Sequence, residues 1–416
     1  MLWAMPVLAE SGGSLAKTLA AQNSLLSTAD DGGSSGDGGD SGSSYWSEHF
    51  RLHGYLTTAY AELSPDSDQQ PNSSDDQILG LEEDGTWDYR IAALQLRYDP
   101  APKHTLLVQL SHRKFGDSPL EDTDDDVELD WLFYQYRFTD NFSIKAGRVP
   151  VPVGIFNEFR DVGTLLPFFR PAYVFYREGS FVSETIDGAV LVTSFFTDSD
   201  WSLDLDLYYG EFDLLESVAA NTTSVFEAEA TDAYGAQLWL NTPVSGLRFG
   251  AGIQQYDVEG SGFHDGKRGW DTYHFSVDGV FDRFTARAEY KYFEIPSNNS
   301  LLFDGEIQSE NYYFQLGFNV TESLGLWVQS EYSPVDQSNI NLTEGTESFQ
   351  LREDLGASLV YSLRPNIVLK GEYHQTSFET VVGVIPTIDP NRGLLLDFIL
   401  DEFESDYVII SASFSF

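Results

Sequence analysis

Apolar residues recur at every second position along most of this chain. Trp201, Leu203, Leu205, Leu207 and Tyr209 alternate with Ser202, Asp204 and Asp206; Phe284, Ala286, Ala288, Tyr290 and Tyr292 alternate with Arg287, Glu289 and Lys291. The chain ends the same way, with Val408, Ile410, Ala412, Phe414 and Phe416 on one face. A period of two predicts strands with one apolar face. Sixteen candidates follow, near 50–62, 89–98, 104–113, 127–138, 142–148, 184–195, 201–210, 232–240, 247–257, 271–281, 284–293, 310–320, 323–332, 351–363, 366–378 and 405–416. Most have about ten residues, the length with which a tilted strand crosses a bilayer. Charges such as Asp204, Arg287 and Lys370 on the other face are costly against lipid, so that face is expected to line an aqueous lumen.

The connections carry a second rhythm. Short ones (99–103, 139–141, 196–200, 241–246, 282–283, 321–322, 364–365) alternate with long ones (63–88, 114–126, 149–183, 211–231, 258–270, 294–309, 333–350, 379–404). A soluble sandwich has no reason to keep this alternation, and no blade-length repeat marks a propeller. The expected fold is all-β: a 16-stranded antiparallel transmembrane β-barrel over 45–416, with both termini on the short-turn side.

Composition fits that picture. No apolar run approaches the ~20 residues of a membrane-spanning helix. Mean hydropathy is −0.25, as expected when half of each strand and all loops are polar. Aromatics make up 14% of residues, which suits strands and interfacial girdles. There is no cysteine, which excludes disulfides and thiolate metal sites. A net charge of −43 argues against a nucleic-acid partner. Before the barrel, Val7, Leu8 and Ala9 read as the end of a signal-peptide remnant over 1–9. Residues 10–44 read as a short helix, with Leu15, Leu19 and Leu26 along one side, and a flexible Asp/Gly/Ser linker over 30–44.

The terminal strand resembles the assembly signal of bacterial outer-membrane β-barrels, which assigns Phe414 and Phe416 to engagement of the barrel assembly machinery. The strand count, that terminus, and the segment running from Lys145 through Gly147, Arg148, Pro150, Pro152, Gly154 and Phe156 to Glu158 together resemble bacterial porins, loosely the phosphate-selective group. The acidic excess departs from an anion-selective pattern. The resemblance implies a homotrimer in the outer membrane of a Gram-negative bacterium, surrounded by lipid and lipopolysaccharide and passing small solutes. It also implies a third long external loop folded into the lumen.

That third loop is 149–183, the longest and least hydrophilic connection, with Val149, Val151, Val153, Ile155, Phe156, Leu165, Leu166, Phe168, Phe169 and Phe175. Water-exposed loops are not this apolar, so it is expected to fold inward or pack on a neighbour. Its charges, Arg148, Glu158, Arg160, Asp161, Arg170, Arg177 and Glu178, are the candidate pore constriction, since charged rings set ion preference. Lys145, Arg287, Lys291 and Lys370 are expected to face the lumen, with Arg97, Arg113 and Arg248 extending the basic wall. The same arginines are equally suited to pairing with loop carboxylates. Strand 127–138 is apolar on both faces (Trp131, Leu132, Phe133, Tyr134, Tyr136), as a subunit interface requires.

Catalysis is disfavoured. There is no Gly-x-Ser-x-Gly elbow and no His-Glu-x-x-His pair. The acidic runs at 75–76, 82–84 and 121–126 lack the spacing of a calcium loop, so no metal or cofactor is expected. Active uptake would need a plug domain before the barrel. The reading is a porin for passive diffusion, against three alternatives: a substrate-specific channel for phosphate, another anion, sugar or dicarboxylate; an occluded structural or adhesive barrel; and a soluble β protein.

Overall fold

The computed structural model describes residues 49–65, 79–118, 124–176, 184–214, 228–260, 269–298, 304–338, 347–389 and 393–416. The expected leader segments 1–9 and 10–44 lie outside them. Sixteen strands form one closed antiparallel barrel in sequence order. They are β1 (Phe50–Pro65), β2 (Thr86–Ala101), β3 (His104–Phe115), β4 (Asp124–Thr139), β5 (Phe142–Pro150), β6 (Thr185–Phe195), β7 (Ser202–Leu214), β8 (Ala228–Asn241), β9 (Leu247–Gly260), β10 (Gly269–Phe281), β11 (Phe284–Asn298), β12 (Asp304–Asn319), β13 (Leu324–Ser338), β14 (Glu347–Arg364), β15 (Ile367–Asp389) and β16 (Gly393–Ser415). All sixteen candidate strands are present.

Closure comes from pairing β1 with β16, Tyr55 opposite Ser415 through Pro65 opposite Ser405. Phe416 completes it: its N–H donates to Gly54 O at 2.9 Å and its carbonyl accepts from Gly54 N at 3.0 Å. A Cβ on Gly54 would lie 2.5 Å from the Phe416 ring, so the absent side chain makes room for the terminal aromatic. A closed sheet has no edge left to pair, the condition for crossing hydrocarbon with strands.

The two faces separate as the alternation predicts. Leu56, Leu94, Leu96, Leu110, Leu132, Ile253, Phe275, Phe314, Leu359 and Ile410 stand exposed on the outside, an apolar surface suited to lipid. Phe138, Phe281, Phe284, Phe414 and Phe416 ring the short-turn end, and Tyr60, Tyr209, Tyr234, Tyr273 and Tyr373 the other. Tyr60 donates to Glu62 at 2.5 Å, Tyr209 to Asp232 at 3.0 Å and Tyr373 to Asp406 at 2.8 Å. An apolar ring with a polar tip is what a lipid–water interface favours.

Several strands run further into the long-loop side than the alternation suggested. Stretches expected as loops at 294–309, 333–350 and 379–404 are largely strand, and β15 pairs with β16 up to Asp389 opposite Gly393. Apolar patterning marks only the lipid-facing part of a strand; the ladder continues beyond it because backbone pairing does not depend on it.

Strand β4 carries a correction. A register break at Gln109 and Leu110 inserts Asp130, so Trp131 and Phe133 point into the barrel while Leu132 and Tyr134 point out. Its inner apolar face packs on the third loop, and its outer one, with Leu132 and Tyr134, stands exposed. The core of this protein is therefore the contact between that loop and the barrel wall.

Strand β5, which leads into the third loop, contains Gly147, whose φ is +125° and whose added Cβ would lie 2.3 Å from Leu132 O. Both features demand glycine. Replacing Gly147 with Val should destabilise the barrel by about 1–3 kcal/mol; a lower urea midpoint for loss of the heat-modifiable band would show it.

Candidate functional site

Residues 151–176 cross the barrel interior. They include a single 3-10 turn (Asn157–Phe159) and a one-turn helix, α1 (Tyr173–Tyr176). Val151, Val153, Ile155, Phe156, Leu166, Val174 and Phe175 are buried in one cluster with Val190, Tyr208, Phe212, Trp239, Tyr256 and Tyr313 of the wall. Phe169 and Tyr173 join a second cluster, with Tyr89, Phe115, Tyr407 and Ile409. Each such side chain contributes about 1.5–3 kcal/mol when taken out of water, so the apolar character of this loop is explained by its place indoors.

An irregular backbone in a closed interior needs partners for its N–H and C=O groups. Strand side chains supply them around most of the circumference. Lys291 Nζ donates to Phe175 O at 2.6 Å, and Lys370 Nζ to Phe168 O at 2.7 Å. Ser358 Oγ donates to Pro167 O at 2.7 Å, and Val174 N donates to Glu331 Oε2 at 2.9 Å. Glu289 is the densest node. One oxygen accepts from Ile155 N at 3.0 Å and Ser276 Oγ at 2.5 Å; the other accepts from Tyr176 Oη and from Tyr313 Oη, the latter at 2.7 Å. Burial first, and then the Glu289 charge, raises the Tyr176 hydroxyl well above its ordinary pKa, which keeps it a donor.

On the β3–β5 side the loop is held by charge. Arg113 reaches Asp161 at 2.5 Å, Glu184 at 2.8 Å and Asp130 at 3.8 Å. Arg160 donates to Tyr176 O at 2.5 Å and lies 3.4 Å from Glu184. Lys145 lies 3.7 Å from Glu158. A void of about 10 Å³ remains here, between Tyr55, Gln109, Asp130, Arg160 and Glu184.

Of the candidate constriction residues, Glu158, Arg160 and Asp161 meet in this group. Arg170 lies apart from them, its guanidinium 4.6 Å from the Phe115 ring centre and hydrogen-bonded to the Tyr89 hydroxyl. Arg148 does not join them. It points outward on β5 and pairs with Asp187 at 2.8 Å, both partly exposed; the unbroken ladder through 144–150 puts it on the same face as Ile144 and Ala146, opposite to Lys145. Arg177 and Glu178 lie outside the described residues. Lys145, Arg287, Lys291 and Lys370 all face the interior, where Arg287 shares Asp278 with Arg248.

Among these and the other interior charges, few side chains are accessible. Gln95, Gln109, Lys145, Gln237, His274, Glu289, Gln315, Gln329, Glu331, Arg352, Asp354 and Lys370 are all at least 95% buried. The third loop and the wall fill the middle of the lumen in this conformation.

No family model matches the chain, and no curated protein matches it in sequence. Solved structures do. OmpF of Salmonella typhi, in complex with daunomycin, superposes with a TM-score of 0.54 at 11% identity, covering 88% of this chain and 97% of that one. The outer-membrane channel DcaP of Acinetobacter baumannii gives 0.53 at 10%, covering 88% and 97%. An anion-selective porin from Comamonas acidovorans gives 0.51 at 12%, covering 88% and 99%. The chain has the sixteen-stranded barrel fold of outer-membrane porins. At these identities the likeness is one of fold.

Within this porin barrel the sequence reading missed the strand acids that bind the loop. Glu289 and Glu331 accept from the loop amides of Ile155 and Val174, contacts that no motif announces, while Asp130 accepts from Gln109 Nε2 at 2.6 Å and flanks Arg113 at 3.8 Å. Arg352 was also missed; its guanidinium lies 5.0 Å from the Tyr173 ring centre. The first long loop contributes as well: Leu79 and Leu81 pack beside Phe169, and Tyr89 Oη donates to Leu79 O at 2.7 Å.

Because Glu289 accepts at both oxygens, Glu289→Gln places an amide donor against existing donors. It should loosen the loop by about 1–3 kcal/mol, seen as faster limited proteolysis between 151 and 176 in a barrel that remains heat-modifiable.

Proposed function

We propose that the protein is an outer-membrane porin of a Gram-negative bacterium, a homotrimer that passes small hydrophilic solutes and ions by diffusion. The observation that carries this reading is the charged interior wall of a closed barrel, bridged by an inward loop through side chains from almost every sector. The loop is the constriction; Glu158, Arg160, Asp161 and the Arg113 group form its charged edge along β3–β5. The trimer is supported by a neighbour solved in trimer form, OmpT of Vibrio cholerae, with a TM-score of 0.52 at 13% identity. Lipid and lipopolysaccharide surround the tyrosine–carboxylate belt, and the strand ending in Phe414 and Phe416 engages the assembly machinery.

Burial of the interior charges by the loop supports reading this conformation as a shut form of the channel. The same burial favours a second reading, a permanently occluded structural barrel. Planar-bilayer recording separates the two. Wild-type protein should show stepwise openings. Lys291→Met with Lys370→Met, which strips the donors from Phe175 O and Phe168 O, should open more often and more widely. Silence from both, in protein that is folded and inserted, favours the occluded barrel and rules out the porin.

A further inference from the structure

The short-turn mouth of the barrel holds a cavity of about 420 Å³ against β1–β4. Its charge opposes that of the rest of the chain. Arg51, Arg97, Lys103 and Arg137 line it against a single carboxylate, Asp99, in a protein whose net charge is −43.

The arrangement breaks a local rule. Arg51 on β1 and Arg97 on β2 are direct cross-strand partners, and like charges set opposite one another destabilise a sheet. The one acid is hydrogen-bonded to only one of the pair. Arg97 Nε donates to both oxygens of Asp99, at 3.1 and 2.8 Å, and Thr105 Oγ1 adds a third bond at 2.5 Å. One carboxylate thus serves both guanidinium groups, with its hydrogen bonds going to Arg97 and Thr105. Neither Arg51 nor Arg137 makes an ion pair with a carboxylate among the described residues, and both are exposed to the cavity's solvent. Lys103 spends one donor on a neutral atom, Phe138 O at 2.9 Å, which leaves its charge uncompensated. The Arg137 N–H to Lys103 O bond, at 2.9 Å, ties β4 to the β2–β3 turn, so two of the cations are mounted on one braced corner.

Places where a chain breaks such a local rule tend to be functional sites, and a bound anion would offset this repulsion directly. Guanidinium groups present paired donors matched to carboxylate and phosphate oxygens. We propose that this vestibule is a binding site for a small multivalent oxyanion, a phosphate or a polycarboxylate. The anion neutralises Arg51, Lys103 and Arg137 together and relieves the Arg51–Arg97 pair. The inference deepens the porin reading by placing anion recognition at the inner mouth. It is tested without conductance, so either can fail alone.

The test is calorimetric titration of the folded full-length protein in detergent, at fixed ionic strength, with inorganic phosphate, citrate and chloride. Phosphate or citrate should bind at one site per chain at least about tenfold tighter than chloride. Phosphate alone binding identifies a phosphate-sized ligand; tighter citrate identifies a polycarboxylate; either supports the site. Arg51→Gln with Arg137→Gln should weaken binding at least about tenfold, while Arg148→Gln on the outer face leaves it unchanged. Arg51→Glu gives a readout of the stored repulsion: it should raise the unfolding temperature at low salt and abolish binding. Equal weak binding of all three anions, wild-type affinity in the double variant, or a lower unfolding temperature for Arg51→Glu would overturn the proposal.

Discussion

The structure depends on satisfying the backbone of one irregular segment in a place with little water. Residues 151–176 have no strand to pair with inside the barrel, so their carbonyls and amides need side-chain partners from the wall. Lys291, Lys370, Ser358, Glu289 and Glu331 provide them. All but the Ser358 bond involve a charged side chain, and buried bonds of that kind hold more firmly than exposed ion pairs. The Arg148–Asp187 pair on the outer surface is the contrast: it is close, but half-exposed, and fixes nothing in the lumen. The barrel's alternation is therefore read twice. Its outer half selects lipid; its inner half is a list of partners for a single loop.

This explains the composition of the interior better than a water-filled tube does. A wide aqueous pore needs only polarity. Here Glu289 accepts four hydrogen bonds, and Lys145, Lys291 and Lys370 are fully enclosed, an arrangement useful only if something is held. Lysine and arginine are few in this chain, and those on the inner face go mainly to the loop, to Asp278 and to the short-turn mouth.

Sixteen strands, their order and the special status of 149–183 were legible because each has a local signal: period two for strands, loop length for topology, misplaced apolarity for the inward loop. Strand ends were less legible, since the ladder outlasts the apolar pattern, as in β15 and β16. Arg148 was misplaced because it was grouped with the loop that follows it; β5 continues to Pro150, and alternation from the inward Lys145 puts Arg148 on the outer face. The two-sided apolarity of β4 was read as fitting a subunit interface; the loop accounts for its inner face, Trp131 and Phe133, and nothing in the sequence announces the extra residue at Asp130. The partners of the loop were illegible for a related reason. Contacts such as Lys370 to Phe168 O join residues far apart in sequence, and a backbone acceptor leaves no residue-type signature.

The most direct measurement uses the absence of native cysteine. A Cβ on Gly163 would lie 3.2 Å from Ser413 Cβ, with Thr57 Oγ1 as the neighbour in the way. The variant Thr57→Ala, Gly163→Cys, Ser413→Cys should therefore cross-link loop to wall on oxidation, because the Cβ atoms are within reach of a disulfide. The account predicts that the oxidised barrel stays shut in a bilayer and that reduction restores openings. Two free thiols in the folded barrel, or equal conductance in both redox states, would contradict it.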